Sequence, residues 1–512
     1  MVNKVNTATV IGLNAYIVDV ETDVINSLPG VAIVGLPDAA INEARTRVRS
    51  AIKNSNYTFP DKKVVINLAP ADLKKEGTNF DLPIAIGILI EECVIEKEKV
   101  KDYGFIGELS LDGSLRGITG VLPLALGFKE AGITNIIVPS ANVKEAALVE
   151  GINVYGAETL CDVVNHFVET PLKITKTDIK TYLSSNSNEE YLFDFKDVKG
   201  QQKAKRALEI AGGHNLLMTG SPGSGKTMMA KCFASILPPL EMDEAIELTK
   251  IYSISGLLTN DQPLMTKRPF RAVHHTASAN GIIGGGSNPK PGEITLAHRG
   301  VLFLDEMVEF PRSVLEVLRQ PLEDNEIVIS RSKHSIKYPA KFMLLGAMNP
   351  CPCGFLGDKE KQCICSEYQI NRYLSKLSGP LLDRIDLQIE VPRLTSEELL
   401  NCQNTSESSA DIRKRVIKAR NIQKERYKNE NILTNSELTP KLVKKYCKID
   451  KAGEELFKVA IVKYQLSGRR YDRILKLART IADIDGSELI QQTHLMQALQ
   501  YRMFNPTGAY QG

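Results

Sequence analysis

Eight consecutive residues do most to limit what this chain can become: Gly220-Ser221-Pro222-Gly223-Ser224-Gly225-Lys226-Thr227. They fit the pattern G-x-x-x-x-G-K-[ST], and their flanks supply what that pattern needs. The apolar run Leu216-Leu217-Met218 reads as a strand entering the loop, and Met228-Met229-Ala230-Lys231 continues it as a helix. Glycines let backbone N–H groups turn inward around phosphate oxygens, and the helix N-terminus adds the positive end of its dipole. Lys226 then reaches β- and γ-phosphates, and the Thr227 hydroxyl ligates Mg²⁺. A strand–loop–helix of this kind belongs in an α/β domain with a mainly parallel sheet.

Four further segments supply candidate partners. Val301-Leu302-Phe303-Leu304 predicts a buried strand whose end delivers Asp305 and Glu306 to the phosphate cleft. Asp305 would hold the metal, directly or through water, and Glu306 would polarise the attacking water. A third strand, 342–348, ends at Asn349, which reads as the residue orienting that water; a plain Asn-Pro turn opener is the alternative. Arg384 sits in a short helical segment, 380–387, before a strand. Arg469 and Arg473 lie one turn apart at the start of a helix carrying Ile474, Leu477, Ala478 and Ile481 on one face. From spacing alone, each of these arginines reads first as a surface ion-pair member.

A length of 512 residues predicts about three domains. Residues 1–170 alternate short strands (31–34, 64–66, 136–138) with helices (38–55, 143–149). Residues 171–190 lose apolar periodicity and read as a linker. Residues 191–392 form the α/β block, and 393–512 predict an all-α domain. With 43% hydrophobic and 24% charged residues the composition is that of a globular protein. The most apolar stretch, Leu82 to Leu89, is far short of the roughly 20 residues a bilayer span needs. The first residues carry no secretory pattern, and nine cysteines are too sparse for a disulfide scaffold, so a reducing cytoplasm and no membrane partner are expected. Net charge is only +3, yet residues 411–480 hold 20 Lys/Arg against 8 Asp/Glu. That segment is either a polyanion-binding face or a solvated helical surface.

Four cysteines are bunched as Cys351-x-Cys353 and, nine residues later, Cys363-x-Cys365. Two pairs of thiolates joined by a short loop can form a tetrahedral Zn²⁺ site, although C-x-C is tighter than the usual C-x₂-C. Reversible disulfides and free thiols are the alternatives. The position after Asn349 suggests a stapled loop, not a catalytic centre.

Long stretches carry a resemblance: GLPDAAINEARTRVRSAI, INLAPADLKKEG, RPFRAVHHTASANGIIGGGSNPKPGEITLAHRGVLFLDE, AMNPCPCG, SGPLLDRIDL and RILKLARTIADI. The chain resembles, over nearly its whole length, the Mg-chelatase-like AAA+ ATPases of the YifB/ComM family. The resemblance implies ATP and Mg²⁺ as ligands of a AAA+ core, with residues 393–512 as its helical lid. It makes Arg384 an arginine finger reaching a neighbour's γ-phosphate, and Arg469 the sensor-II arginine, with Arg473 as runner-up. A finger acting in trans implies a homo-oligomeric ring, expected to be a hexamer. The pre-sensor-I hairpin, 327–340, would carry Arg331, Lys333, His334 and Lys337 into a central channel to contact DNA phosphates; an ordinary charged hairpin is the alternative. Residues 271–293, with His274 and His275, would be a second channel insertion, unless the histidines merely pack. Residues 1–170 resemble the proteolytic domain of Lon-type proteases, with a ribosomal-protein-like α+β fold. Asn79 and Leu122 stand where Ser and Lys would be needed, and no Ser lies between Asn56 and Gly107, so a non-proteolytic domain is expected. The whole implies an ATP-driven ring motor on DNA, unwinding strands or migrating branches in recombination or natural transformation. A chelatase-type ATPase remodelling a protein partner for metal insertion is the rival.

Overall fold

The computed structural model describes residues 3–177, 182, 192–286, 290–330, 335–394, 407–430 and 432–502. Two compact units emerge, Met1–Ser187 with Glu241–Thr266, and Asn188–Leu240 with Lys267–Gly512.

The first unit is built on strands β1 (Asn3–Ile11), β2 (Asn14–Ile25), β3 (Gly30–Val34), β4 (Lys63–Ala69), β5 (Tyr103–Phe105), β6 (Asn135–Pro139), β7 (Asn153–Ala157) and β8 (Ile174–Thr175). They form a mixed sheet in the order β8-β7-β6-β5-β1-β2-β4-β3. Helix Ala39–Asn54 starts where Asp38 accepts a hydrogen bond from the Ile41 N–H at 2.8 Å, and it buries Ile41, Ala44, Val48, Ala51 and Ile52. The apolar run 82–89 lies in helix Asp81–Glu91, buried nearly all round as a core helix should be. Gly87 lets that helix lie on β2, since a Cβ there would fall 2.4 Å from the Thr22 hydroxyl.

Three local expectations are corrected here. The helix foreseen over 143–149 stops at Ala146, and the Leu148 and Val149 N–H groups bond to the Glu145 and Ala146 carbonyls in tighter turns that lead on to β7. Part of the foreseen linker is β8, which pairs antiparallel with β7; a two-residue edge strand is too short to show as periodicity. Helix Met242–Ile254, foreseen within the second block, packs on helix Val121–Glu130 of the first unit, where the Gly120 N–H bonds to the Ser253 carbonyl at 3.2 Å.

The second unit centres on β9 (Leu216–Thr219), β10 (Phe270–Val273), β11 (Val301–Leu304), β12 (Met343–Met348) and β13 (Leu387–Glu390). Every pairing in the order β10-β11-β12-β9-β13 is parallel. Parallel strands put all their C-terminal ends on one edge, the edge where α/β sheets take ligands. The helices Ser409–Arg426, Pro440–Tyr446, Lys451–Lys463, Gly468–Ile484 and Gln492–Arg502 make the C-terminal region helical, as expected. They share one apolar core with the sheet, so Val416, Ile474, Leu477 and Ile481 pack in the cluster that holds Leu216, Phe303 and Leu345. Residue 392 is therefore not a boundary of compactness.

Several cations of the basic segment 411–480 are internal ties. Arg415 pairs with Glu209 at 2.5 Å, Arg426 reaches both Asp483 oxygens at 2.5 and 2.8 Å, and Arg479, 1% exposed, donates to Asp483 at 3.0 Å. Breaking a buried pair strands a charge away from water, so these arginines belong to the packing. Among the described residues no helix is long and apolar enough to cross a membrane.

Candidate active site

The phosphate loop joins β9 to helix Lys226–Phe233. Its first glycine is imposed by crowding, since a Cβ on Gly220 would fall 2.1 Å from the Val391 carbonyl oxygen just beyond β13. Gly223 and Gly225 adopt φ of 79° and 90°, and a Cβ on either would meet nothing within 4 Å, which leaves the loop's upper face open. Between them Ser224 donates its N–H to the Ser221 carbonyl at 3.2 Å, and Pro222 fills the tip.

Lys226 is buried, and its ammonium is wrapped by oxygens. It donates to the Gly220 and Ser221 carbonyls at 2.7 and 2.9 Å, and it lies 3.4 Å from both the Ser224 hydroxyl and the Asn349 side-chain oxygen. Burial pulls its pKa down to about 8, against the opposing pull of Asp305 and Glu306. Asn349 follows β12, the strand beside β9, which places its amide next to the lysine.

The Thr227 hydroxyl donates to Asp305 at 2.8 Å, so the two oxygen donors foreseen for a divalent ion stand side by side at the end of β11. Hard oxygen ligands beside a phosphate loop are what Mg²⁺ takes, and the pair fits that ion. Glu306 follows with φ of 50°, a left-handed conformation rare for a residue with a side chain. That turn sends its carboxylate to His275, whose Nδ1 lies 3.5 Å from Oε2. His275 in turn sits 4.1 Å, ring to ring, from His274 and edge-on to Phe310. The sequence left His275 in a channel insertion or as packing; its contact with Glu306 was missed. A signal existed in the sheet register, because Val273 pairs with Leu304 and the two residues each stand two positions further on.

Arg384, nine-tenths buried, caps helix Gly379–Asp383, pairs with Glu323 and donates to the Pro380 carbonyl at 2.7 Å. Its Nε has no partner among the described residues. Arg384, Arg469 and Arg473 converge on one cavity of about 350 Å³. The lining also includes Arg319, Arg470, Lys476 and Arg502, against only Glu323, Asp383 and Asp472. Arg470 and Arg502 reach the Asp383 carboxylate and carbonyl, and exposed Arg469 has no hydrogen-bond or ion-pair partner among the described residues. No phosphate-loop residue lines this cavity, so these arginines are gathered with one another and not with Lys226 of their own chain.

The hairpin foreseen before β12 is present as antiparallel strands Glu326–Ser330 and Ser335–Pro339. Lys337 lies exposed in its second strand and pairs with Glu326 at 3.0 Å, away from the tip. Arg331, Lys333 and His334 lie outside the described residues.

The four cysteines after Asn349 do come together. Sγ of Cys351 is 3.4 Å from Cys353 and 3.7 Å from Cys363, Cys353 to Cys363 is 3.6 Å, and all four sulfurs lie within 4.8 Å of one another. No pair is at the roughly 2.05 Å of a disulfide here, and the spacings approach the about 3.8 Å edge of a ZnS₄ tetrahedron with 2.3 Å bonds. Against the effect of burial, the Phe355 and Ile364 N–H groups hold the Cys353 thiol down at about 6, the thiolate state a metal requires. The cluster could hold a metal ion.

Comparison with known proteins covers nearly the whole chain. Three family profiles match, described as magnesium chelatase, subunit ChlI (residues 194–399), subunit ChlI of Mg-chelatase (20–142) and the ChlI C-terminal region (406–502). The competence protein ComM of Haemophilus influenzae is 45% identical over 495 residues, 96% of this chain and 95% of that one. YifB of Salmonella typhimurium, itself uncharacterised, is 42% identical over 505 residues, covering 97% and 96%. The magnesium-chelatase 38 kDa subunit of Rhodobacter capsulatus is 25% identical over 271 residues, 46% of this chain and 71% of that one. With this identity along almost the full length, and a phosphate cleft assembled at the edge of a parallel sheet, the chain belongs to the Mg-chelatase-like ComM/YifB family of AAA+ ATPases.

Proposed function

We propose that the chain is an ATP-hydrolysing ring motor acting on DNA, unwinding strands or migrating branches during recombination or natural transformation in the cytoplasm. The observation that carries the reading is the division of cations between two places. Lys226, Thr227, Asp305, Glu306 and Asn349 form a cleft for a triphosphate, whereas Arg384 and Arg469 line a separate basic cavity. In a homo-hexamer the cavity of one subunit would supply finger and sensor-II arginines to the triphosphate of the next.

In such a site Gly220 to Gly225 would hold phosphate oxygens through backbone N–H groups, and Lys226 would bridge the β- and γ-phosphates. Thr227 and Asp305 would hold Mg²⁺, which supplies charge neutralisation on the phosphates when bound. Glu306 would accept the proton of the water attacking the γ-phosphorus while the bond to the β-phosphate oxygen breaks, and Asn349 would orient that water. The four cysteines would hold a structural Zn²⁺. Residues 1–170 would serve as a non-proteolytic, Lon-like domain. The Asn79 amide is spent on the Ala8 carbonyl at 2.9 Å, and Leu122 is 1% exposed, so neither supplies a nucleophile or base. By role the chain would divide into a domain over 1–170, a linker over 171–190, a core over 191–392 and a lid over 393–512, with helix Met242–Ile254 packed in the first unit and the lid sharing the core's apolar cluster.

The rival is a chelatase-type ATPase remodelling a protein partner for metal insertion, favoured by the chelatase descriptions of all three matching profiles. ATP turnover measured with single-stranded DNA, branched DNA and protein candidates separates the two. A DNA motor accelerates on DNA. A rate indifferent to both DNA forms would favour the rival.

A further inference from the structure

We propose that the four-cysteine loop is a metal-held brace for the phosphate loop, so that metal occupancy sets nucleotide affinity. The inference rests on the Zn²⁺ reading above and goes beyond it by assigning what the metal controls.

One continuous segment runs from Asn349 through the cluster and helix Glu367–Leu374 to Arg384. On the way it packs against the phosphate loop. Gly354, with φ of 85°, lies so close to Pro222 that a Cβ would fall 2.7 Å from its ring. Four residues on, Asp358 Oδ1 accepts from the Glu360 and Lys361 N–H groups at 2.9 and 3.0 Å, and its Oδ2 is buried without a hydrogen-bond partner among the described residues, while nearness to the Ser221 hydroxyl is the chief influence holding the carboxyl below its ordinary range. The same Cβ on Gly354 would lie 3.9 Å from the side-chain amide carbon of Asn349. The segment therefore packs on Pro222 and lies beside Asn349, whose side-chain oxygen is 3.4 Å from the Lys226 ammonium.

Such a loop has little to hold it besides the thiols. Ile364, set between two of them, is 87% exposed, and residues 357 and 359–362 lie at the surface. Where a short segment cannot bury a core, bound metal supplies the folding free energy instead. The N–H groups of Cys353 and Cys365 already point at the sulfurs of Cys365 and Cys363, both at 3.4 Å, the outer support that steadies thiolate ligands. With the metal gone, Gly354 and Asp358 lose their anchor, and the phosphate loop loses the surface it rests on.

The test uses the full chain, purified under reducing conditions without added metal, with elemental analysis and a fluorescent ATP analogue read on the same sample. About one Zn per chain is expected. Stripping by a chelator should weaken the analogue about tenfold, with recovery on adding Zn²⁺. Gly354→Ala and Asp358→Ala keep all four thiols, and each should retain the metal while binding the analogue several-fold more weakly. Less than about 0.3 Zn per chain in reduced protein would overturn the metal reading itself. Metal present, but with stripping and both variants leaving affinity within about twofold, overturns the coupling alone. Affinity restored only by dithiothreitol, and not by Zn²⁺, assigns a disulfide switch and overturns the brace. If stripping unfolds the chain, the two variants decide.

Discussion

Lys226 and Arg469 are the two cations that the proposed mechanism would turn on phosphate, and the protein treats them in opposite ways. Lys226 is buried, and four oxygens of its own loop and of Asn349 surround it. Arg469 is exposed in a cavity where seven cationic side chains meet three acidic ones, and it has no polar partner among the described residues. The first arrangement is finished within one chain. The second carries surplus positive charge, which an anion from outside would relieve. Under the proposed ring reading, this difference would put the incomplete half of the catalytic apparatus at a subunit surface, where a finger would act.

Arg384→Ala should break the contrast most severely. It is expected to lower kcat by ~10³ with ATP-analogue affinity nearly intact, because a finger acts on the transition state. Steady-state turnover and a binding titration check it, and a loss under about tenfold would reduce Arg384 to a structural partner of Glu323. Glu306→Gln follows, binding ATP yet turning over at least ~10²-fold more slowly. Near-normal turnover would remove Glu306 from its role.

A pH titration sharpens the contrast further. The Lys226 pKa, lowered to about 8 by burial, means the nucleotide-free ammonium is charged below pH 8 and loses its proton above it. Phosphate affinity should thus be highest at pH 7, and the analogue's Kd should rise about tenfold by pH 9. Guanidinium groups stay charged across that range, so the arginine cavity contributes nothing to the slope. A flat profile would mean that the lysine keeps its proton. The smallest effect belongs to His275→Ala, expected to cut kcat about three- to fivefold at unchanged KM by freeing the Glu306 carboxylate to wander. A change in KM alone would assign His275 to packing.

What could be read from the sequence divides along the same line. The phosphate loop, β11 and β12 were legible because their chemistry is local, a glycine spacing or an apolar run ending in polar residues. The Cys351–Cys365 cluster was legible for the same reason, down to the pairing of its two halves. The His275–Glu306 contact was not, since it is made across neighbouring strands and depends on which strands are neighbours. The charge of 411–480 misled in part, because a count of cations does not separate Arg479, sealed against Asp483, from Arg469 in open solvent. Helix Met242–Ile254 could not be assigned to its unit, since an amphipathic stripe states that one face is covered but not by what.

The grip of Lys226 on its own backbone makes nucleotide capture an exchange. An incoming phosphate must outbid the Gly220 and Ser221 carbonyls already in place. A lone phosphate group offers one such contact and gains little over what it displaces. A polyphosphate tail, met at once by Lys226, the Thr227 hydroxyl and the open loop face, would gain several, so discrimination against monophosphates would be built into the resting position of a single side chain.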